Sequence, residues 1–584
     1  MSSNSETSGN TGAPGLRMLL AIAAGMLAVA FGVLGLNSTS AHAEIVPHRL
    51  AEINPGPSTG NPYSFTEAGG KLYFAGYDGV HGSELWRLEA GKPVMVADIN
   101  PGQQSSEPSG LIEYQGRLYF RAASPASGSE LWRTDGQTTE MVADINPGPD
   151  SSDLHEMTVI DDLLVFSADN GTNGYEPWKF DGNSASMIQD LRIGAAGSNP
   201  YDFTRLADHF YLRADNGATG NELWRSNGNS VTLVANIAAG AANSNPANFT
   251  EMGGFLYFSA ANGLGNELWR TNGVMTSIVE DIRPGASGST PQNFKVMGGH
   301  LYLRADDGVT GHELWRTDGA QPVADVTQVA DINPGPEDGY PSQMTVFEGQ
   351  LYFKADGAGI GDELFVSSGT GAELMADLNP GEEGSNLGGL TVFGGGIYFA
   401  ADDQQHGHEV WFTDGSPPEL VRDILPGSDS GDPYGFTTFG GSLYFSADDG
   451  TSGTEVWRLT DDRKVKVTIP AATIRVDRAG RARVKVRCAI SEISGPCLGT
   501  VTVKTRGKVG FGGKRRQVTI GKGKFSADPG QAGTVLLKLN RKVRRLIRKT
   551  RAARKLTIQV KARDGAGNTT SVRKASRLTG AGLR

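Results

Sequence analysis

The stretch Glu313-Leu314-Trp315-Arg316-Thr317-Asp318-Gly319 decides the fold, because variants of it recur nine times along the chain. Its third position holds all eight tryptophans of the protein and one phenylalanine: Trp86, Trp132, Trp178, Trp224, Trp269, Trp315, Phe365, Trp411 and Trp457. Successive copies lie 46, 46, 46, 45, 46, 50, 46 and 46 residues apart. Such a period is typical of a repeat protein, in which each unit buries its apolar surface against its neighbours.

One repeat contains four short runs rich in β-forming residues. In the unit that begins at Asn248, the runs are separated by pairs such as Gly253-Gly254 and Asn272-Gly273. These pairs supply the positive φ angles that tight hairpins require. No window shows apolar residues at i, i+3 and i+4, which the helical repeat families require. Four strands in about 46 residues predict one blade of a β-propeller.

The glutamate of the motif is present in all nine copies: Glu84, Glu130, Glu176, Glu222, Glu267, Glu313, Glu363, Glu409 and Glu455. It lies two residues before the aromatic position, so strand alternation places the two side chains on one face. A carboxylate buried there without hydrogen-bond donors would cost several kcal/mol. We therefore expect it to accept backbone N–H bonds from an adjoining turn and to have a structural role.

The two ends of the repeat region complement each other. Each third strand is followed by a segment of the Asp98-Ile99-Asn100-Pro101-Gly102 type, but the last copy, at Trp457, has none after it. Residues 49–53 form such a segment with nothing before it. We expect an all-β fold with a propeller of about nine four-stranded blades, whose N-terminal strand completes the last blade. An open or split ring is the alternative, because propellers usually have about 4 to 8 blades.

The chain of 584 residues has a net charge of -10 that conceals two opposed parts. Residues 1–462 contain 21 Lys+Arg against 60 Asp+Glu, and residues 463–584 contain 33 against 4. In the basic part, apolar residues alternate with basic ones, which predicts a small antiparallel β-sandwich. One short helix is expected after Asn540, with Val543, Leu546 and Ile547 on its inner face. The predicted domains are a signal peptide (1–43), the propeller (44–460) and the sandwich (463–584).

The N-terminus predicts export. Arg17 precedes an apolar run over residues 18–36, and Ala41-His42-Ala43 has the form of a signal-peptidase site. Cleavage would give a secreted or cell-surface protein. The alternative is a retained membrane anchor, because the run is just long enough to span a bilayer. A membrane is expected as a partner only in that case.

Calcium is the one cofactor that the sequence suggests, and the signal is weak. Acidic turns precede the conserved glutamate in several repeats, with Asp306, Asp307, Asp402, Asp403, Asp448 and Asp449 as candidate ligands. The turns lack the D-x-D-x-D-G spacing that brings several carboxylates onto one ion. Asp is also favoured in turns because it bonds to its own backbone. We favour this ordinary role and expect no other cofactor.

The two cysteines, Cys488 and Cys497, both lie in the basic part and enclose a short loop that contains Gly495-Pro496. Since export exposes them to oxidant, we expect a disulfide. No G-x-S-x-G, H-E-x-x-H, P-loop or C-x-x-C motif is present. We therefore expect no enzymatic activity and no catalytic residues.

The basic part also suggests a polyanionic partner, since its excess of charge produces a field of several kT at the surface. The densest basic runs supply the candidate contacts, which are Lys514, Arg515, Arg516, Arg541, Lys542, Arg544 and Arg545. Nucleic acid is not expected, because Phe511 and Phe525 are the only aromatic residues there and base stacking would need more. The partners considered are an anionic envelope polymer, a glycan or another extracellular protein. A solvated surface without a partner is the alternative.

The repeat motif resembles the ELWxxDGT family of secreted bacterial repeat proteins, also labelled hyalin-like. The resemblance covers residues 49–460, and copies three and seven depart from it at Pro177 and Phe365. The basic part, with Arg563-Asp564-Gly565-Ala566-Gly567-Asn568-Thr569 near its end, resembles small immunoglobulin-like modules of extracellular bacterial proteins. The resemblance implies no known enzymatic activity. The expected function is a non-catalytic exported interaction or cell-surface scaffold, with a carbohydrate-binding lectin or adhesin, or a propeller hydrolase or lyase, as alternatives.

Overall fold

A computed structural model describes residues 47–320, 325–460, 467–469, 473–477, 479–488, 497–511, 513–527, 532–563 and 569–579. The predicted signal peptide (1–43) and residues 321–324 of the sixth repeat lie outside the described residues. In the part of the chain that is described, no helix is long and apolar enough to cross a membrane.

The described residues of the repeat region form nine four-stranded antiparallel sheets, one for each repeat. The chain begins with β1 (His48–Arg49). Blade 1 has strands β2 (Tyr63–Ala68), β3 (Lys71–Tyr77), β4 (Ser83–Glu89) and β5 (Lys92–Ala97). Blade 2 has β6 (Ser109–Tyr114), β7 (Arg117–Ser124), β8 (Gly128–Thr134) and β9 (Thr139–Ala143). Blade 3 has β10 (His155–Ile160), β11 (Leu163–Asp169), β12 (Tyr175–Phe180) and β13 (Ala185–Met187).

The middle blades repeat this order. Blade 4 has β14 (Tyr201–Leu206), β15 (His209–Asp215), β16 (Asn221–Ser226) and β17 (Val231–Ala235). Blade 5 has β18 (Ala247–Met252), β19 (Phe255–Asn262), β20 (Gly265–Thr271) and β21 (Thr276–Glu280). Blade 6 has β22 (Gln292–Met297), β23 (His300–Asp306), β24 (His312–Thr317) and β25 (Val326–Ala330).

The last three blades complete the set. Blade 7 has β26 (Ser342–Phe347), β27 (Gln350–Gly357), β28 (Gly361–Ser367) and β29 (Glu373–Ala376). Blade 8 has β30 (Gly388–Phe393), β31 (Gly396–Asp402), β32 (His408–Thr413) and β33 (Glu419–Arg422). Blade 9 has β34 (Tyr434–Phe439), β35 (Ser442–Asp448) and β36 (Thr454–Thr460), and β1 is its fourth strand.

The ring is closed by the N-terminal strand, as predicted. β1 pairs antiparallel with β36, with His48 opposite Arg458 and Arg49 opposite Trp457. The first strand of each blade lies against the first strand of the next, and β34 of blade 9 lies against β2 of blade 1. The paired strand is shorter than the predicted segment 49–53, because the chain turns after Leu50. The all-β fold and the nine-bladed propeller are therefore confirmed.

The recurring motif packs the blades against one another. Both faces of a second strand are buried: Leu256, Tyr257 and Phe258 in blade 5 are at most 1% exposed. In four blades the motif tryptophan donates its indole N–H to a carbonyl of the preceding strand, for example at 2.8 Å between Trp224 Nε1 and the Ala214 oxygen. In four blades the motif arginine reaches the next blade, for example where Arg225 Nη1 lies 2.7 Å from the Gly273 carbonyl oxygen. Where these bonds form, they fix contacts within and between blades.

The conserved glutamate is fully buried in all nine blades and receives the predicted backbone bonds. In blade 2, Glu130 accepts N–H bonds from Ile145 at 2.9 Å and from Ser152 at 2.9 Å. The Ser152 hydroxyl also donates to the carboxylate, at 2.8 Å. Because these donors lie on the segment that leads to the next blade, the carboxylate ties consecutive blades together. In blade 9, Glu455 accepts from Ile53 and Asn54 and so fastens the seam of the ring.

The C-terminal domain contains ten strands among its described residues. They are β37 (Val467–Thr468), β38 (Thr473–Arg475), β39 (Arg481–Cys488), β40 (Cys497–Thr505), β41 (Val509–Phe511), β42 (Lys514–Arg516), β43 (Thr519–Ala527), β44 (Ala532–Lys538), β45 (Lys555–Arg563) and β46 (Thr569–Thr579). A three-stranded sheet has the order β37-β39-β44, a five-stranded sheet has the order β38-β46-β45-β40-β43, and β41 and β42 form a hairpin. The predicted sandwich is present, but it is not wholly antiparallel, because β38 pairs parallel with β46.

The two sheets share one hydrophobic core, to which Val484 and Val535 contribute from one sheet and Val501 and Ile558 from the other. The predicted helix, α1 (Arg541–Lys549), covers one end of this core with Val543, Leu546 and Ile547. The Asn540 side chain caps it by accepting the Val543 N–H at 2.9 Å. A 3-10 helix (Arg551–Arg554) follows.

Candidate functional site

The outer face of the three-stranded sheet carries a row of cations. Strand alternation in β39 turns Arg481, Arg483, Lys485 and Arg487 to solvent and Val484 and Val486 to the core. Lys538 of β44 lies opposite Arg481. Residues two apart on a strand are about 7 Å apart, so the row presents one positive charge about every 7 Å. We call these five cations, Arg481, Arg483, Lys485, Arg487 and Lys538, the arginine face.

The outer face of the five-stranded sheet carries a second set of cations, brought together by strand register. Lys524 lies opposite Thr500, and Thr500 lies opposite Lys561 on its other side. Lys522 lies opposite Thr502 in the next row. Two strands span about 10 Å, so lysines flank a strip of threonine hydroxyls. We call the exposed cations Lys504, Lys522, Lys524, Lys561 and Arg573 the lysine face.

Two shallow hollows lie on the lysine face and share Thr500. One, of about 200 Å³, lies between Thr502, Lys522 and Lys524. The other, of about 540 Å³, extends from Thr500 to Lys561 and Arg563. Hydroxyl donors beside ammonium groups provide both hydrogen bonds and charge for an anionic group.

Acidic groups are almost absent from this domain. Among the described residues from 467 onward, Asp477 is the single carboxylate. A backbone N–H bond from Arg481 and the ion pair with the Arg481 side chain, at 2.8 Å between Oδ2 and Nε, hold the pKa of Asp477 below its usual range. The other nine cations of the two faces therefore have no carboxylate partner within the described part of the domain.

The structure separates the cations that the sequence analysis selected. Lys514, Arg515 and Arg516 are exposed on the β41–β42 hairpin, where the Arg516 guanidinium lies over the Phe511 ring at 5.6 Å. Arg541, Lys542, Arg544 and Arg545 lie on the outer side of α1, and Arg544 is only half-exposed. The hairpin and the helix are thus two further basic sites. The sequence analysis did not select the two faces as candidate contacts because their charges alternate with apolar residues and do not form runs.

The candidate calcium ligands serve their own turns. Asp307 Oδ1 accepts the N–H groups of Val309 and Thr310, both at 2.8 Å. Asp403 bonds in the same way to His406, and its other oxygen lies 2.7 Å from the His406 ring. Asp306, Asp402, Asp448 and Asp449 accept backbone N–H groups two residues ahead of them. Within the described ranges, no group of three or more His, Cys, Asp or Glu residues could hold a metal ion.

The sulfur atoms of Cys488 and Cys497 are bonded to each other, with 5.7 Å between the Cα atoms. Both residues are fully buried in the core of the C-terminal domain. The bond joins the end of β39, in the three-stranded sheet, to the start of β40, in the five-stranded sheet. It therefore fastens the two sheets to each other.

The first strands of the blades line the centre of the ring, and each has a left-handed residue at its second position. These residues are Ser64, Gly110, Glu156, Asp202, Asn248, Asn293, Gln343, Gly389 and Gly435. Some of their side chains link neighbouring blades: Glu156 Oε2 accepts the Asp202 N–H at 3.2 Å, and Gln343 Oε1 accepts the Gly389 N–H at 2.9 Å. The sequence analysis did not predict this ring of bulges.

One hollow in the channel wall, of about 440 Å³, crosses the first strands of blades 6, 7 and 8. It is lined by Lys295 and by Thr345 and Thr391, but each of these threonine hydroxyls already donates to a backbone carbonyl. In the wall of blades 3 and 4, burial raises the pKa of Asp202. Arg213, which lies 3.7 Å away, opposes this rise in pKa, and Glu156 adds to it. The channel is polar, but its groups are largely used within the wall.

Burial raises the pKa of all nine motif glutamates, and the rise is largest in three blades. Glu313, Glu409 and Glu455 reach about 7. In blades 1 to 5, a serine hydroxyl bonds to the carboxylate and opposes the rise. The corresponding positions near the three exceptional carboxylates are Gly339, Gly431 and Gly60. The missing hydroxyl therefore accounts for the difference.

No family model matches the chain, and no curated protein matches it. Solved structures do match. A structure from a study of two prolyl endopeptidases is 12% identical to this chain, with a TM-score of 0.35, and the match covers 66% of this chain and 55% of that chain. A puromycin-hydrolysing peptidase of Mycobacterium tuberculosis is 12% identical, with a TM-score of 0.35, and the match covers 68% of this chain and 61% of that chain. The β-propeller domain of the trilobed protease from Pyrococcus furiosus is 10% identical, with a TM-score of 0.32, and the match covers 62% of this chain and 98% of that chain.

These similarities correct the expected function. The sequence analysis predicted a non-catalytic exported scaffold, whereas the three matching structures named above are peptidases or a domain of one. That prediction is contradicted and is not retained. The chain spans only 55% and 61% of the first two matching chains. With TM-scores of 0.32 to 0.35, the likeness carries no argument about the activity of this chain.

Proposed function

We propose that the C-terminal domain binds an anionic polymer through its arginine face and its lysine face. The supporting observation is the one-sided charge of these surfaces, which hold ten exposed cations; among the described residues, Arg481 is the one that is paired with a carboxylate. Flat faces of this kind suit an extended polymer, because several charges can be contacted at once. The predicted export of the chain would bring anionic envelope polymers and glycans within reach.

The energetics of such binding come mainly from the release of counterions. Each neutralised charge makes the affinity fall as salt rises, with a slope of about 0.7 per contact for a single-stranded polyanion. Four contacts would weaken binding on the order of 50-fold between about 50 and 200 mM salt. A polymer of carboxylates and a polymer of phosphates share this behaviour, so both belong in the test.

Sedimentation of the full-length chain with long-chain polygalacturonate, with long-chain polyphosphate and with duplex DNA tests the proposal. We expect binding to at least one of the first two at low ionic strength and release at several hundred millimolar salt. A variant that lacks cations on both faces (R483Q, R487Q, K522Q, K524Q) should bind at least tenfold more weakly. A hairpin variant (K514Q, R515Q, R516Q) removes three cations outside the faces.

Three results would overturn the proposal. The first is no binding by the wild-type chain at low salt, and the second is a binding constant that does not change with salt. The third is a loss of binding in the hairpin variant with full binding in the two-face variant, which would place the polymer on the hairpin. Tighter binding to DNA than to either other polymer would replace the proposed class of partner with nucleic acid.

A further inference from the structure

The arginine face and the lysine face point in opposite directions. The two sheets pack on one shared core, in which Val484 and Val486 of β39 and Val501 and Val503 of β40 are at most 2% exposed. On β39 the cations alternate with these core residues, and on the other sheet Lys522, Lys524 and Lys561 lie opposite Thr502 and Thr500, which alternate with Val501 and Val503 on β40. They must therefore leave each sheet on the side away from the core. The domain presents two basic surfaces, back to back.

The two faces are also electrically separate. Packed sheets lie about 10 Å apart, and the cationic groups extend outward from both. Across the core, the charges on β39 are thus farther from those of the lysine face than the screening length of about 8 Å at physiological ionic strength, whereas β43 and β44 approach each other at one edge of the sandwich. A polymer bound on one face does not occupy the other face, and its charge does not repel a second polymer bound there.

The two faces arrange their charges differently. On the lysine face, the charged rows run across β43, β40 and β45, where Lys524, Thr500 and Lys561 lie side by side. On the arginine face, the charges follow the length of β39. Each face has its own geometry of charge and can hold a separate segment of polymer.

We propose that the domain is bivalent and crosslinks anionic polymers, by holding one chain on the arginine face and a second chain on the lysine face. This inference rests on the proposed polymer binding but adds a distinct activity, which is the joining of two chains by one molecule of protein. Bivalent attachment also raises the overall affinity for a dense polymer network, because the second contact forms at a high effective concentration.

The test compares crosslinking with binding in the full-length chain. Light scattering and low-speed pelleting with long-chain polygalacturonate and long-chain polyphosphate report crosslinking. Titration with a short oligomer of the same polymer reports the number of binding sites. An arginine-face variant (R483Q, K485Q, R487Q), a lysine-face variant (K522Q, K524Q, K561Q) and a control variant (R506Q, K508Q, K549Q) each lose three positive charges. The control residues are exposed and lie outside both faces.

We expect the wild-type chain and the control variant to crosslink the long polymer and to bind two short oligomers per chain. Each single-face variant should bind one short oligomer, with an affinity within about threefold of the wild type, and should lose at least nine-tenths of the scattering signal. One oligomer per wild-type chain, or undiminished crosslinking by either single-face variant, would overturn the inference. Absence of any binding by the wild type would instead refute the proposed function.

Discussion

Replacement of Gly339 by serine should stabilise the propeller at neutral and alkaline pH but much less in acid. Gly339 donates its N–H to Glu313 at 2.8 Å but has no hydroxyl, and burial raises the pKa of Glu313 from 4.5 to about 7. At about 1.4 kcal/mol per pKa unit, this rise corresponds to about 3 kcal/mol. Since the folded-state pKa is raised, the folded state is favoured by this amount below pH 4.5, where Glu313 is protonated. This stabilisation is lost as pH rises through about 7.

A serine at position 339 supplies the missing donor. A Cβ atom there would lie 2.7 Å from the Glu313 oxygens, so the carboxylate must withdraw slightly, as the end of a flexible side chain can. A hydrogen bond to a charged group contributes about 1.5 to 3 kcal/mol. We expect Gly339→Ser to raise the free energy of unfolding by about that amount at pH 8, and by about 1 kcal/mol or less near pH 4.5, where Glu313 is protonated.

Urea denaturation at the two pH values measures the effect, with Ser152→Gly in blade 2 as the matched reverse variant. Ser152 donates its hydroxyl to Glu130 at 2.8 Å, so its loss should destabilise the protein mainly at pH 8. A change in backbone entropy between serine and glycine acts equally at both pH values. If either variant shifted stability by the same amount in acid and in alkali, the link between the hydroxyl and the carboxylate pKa would be refuted.

Further predictions concern the seam, the disulfide and the acidic turns. Deletion of residues 44–56 should lower the thermal midpoint, because it removes the Ile53 and Asn54 donors and leaves Glu455 buried without them; an unchanged midpoint would argue against closure of the ring. Intact-mass measurement should show the Cys488–Cys497 bond, and two free thiols in the purified protein would contradict this. The double variant Cys488→Ser, Cys497→Ser should lower the free energy of unfolding by about 2 to 4 kcal/mol. Calcium should leave the thermal midpoint unchanged relative to a chelator, because Asp307 and Asp403 are used in their own turns, and a clear rise would show that the turns bind the ion.

The propeller could be predicted from the sequence because its strongest contacts repeat. A tryptophan and a glutamate at one fixed spacing mark every third strand, and the segment 49–53 matched the strand missing after Trp457. The partners of the glutamate could not be predicted as well. Ser106 follows Glu84 by 22 residues and the same spacing recurs in five other repeats, but the spacing alone does not show that the linker folds back to place the hydroxyl on the carboxylate.

The basic faces show a different limit of sequence reasoning. Contiguous runs such as Lys514-Arg515-Arg516 attract attention, although the structure places them on a hairpin. The alternation along β39 did predict that basic residues face solvent, and the structure confirms this. However, the row formed by Lys524, Thr500 and Lys561 depends on the register of three strands. These residues are far apart in the chain, and the sequence contains no local signal of their pairing.

The seam between β1 and β36 determines the order in which the ring can be assembled. Eight blades are made of four consecutive strands and can pair their strands as the polypeptide leaves the ribosome. The ninth must wait, because Ile53 donates to Glu455 across a separation of 402 residues. Bringing these two residues together in an unfolded chain would carry a large loop-closure entropy, which falls once the intervening blades have packed in order. Folding of the ring should therefore end at blade 9, and mechanical or thermal opening should begin there.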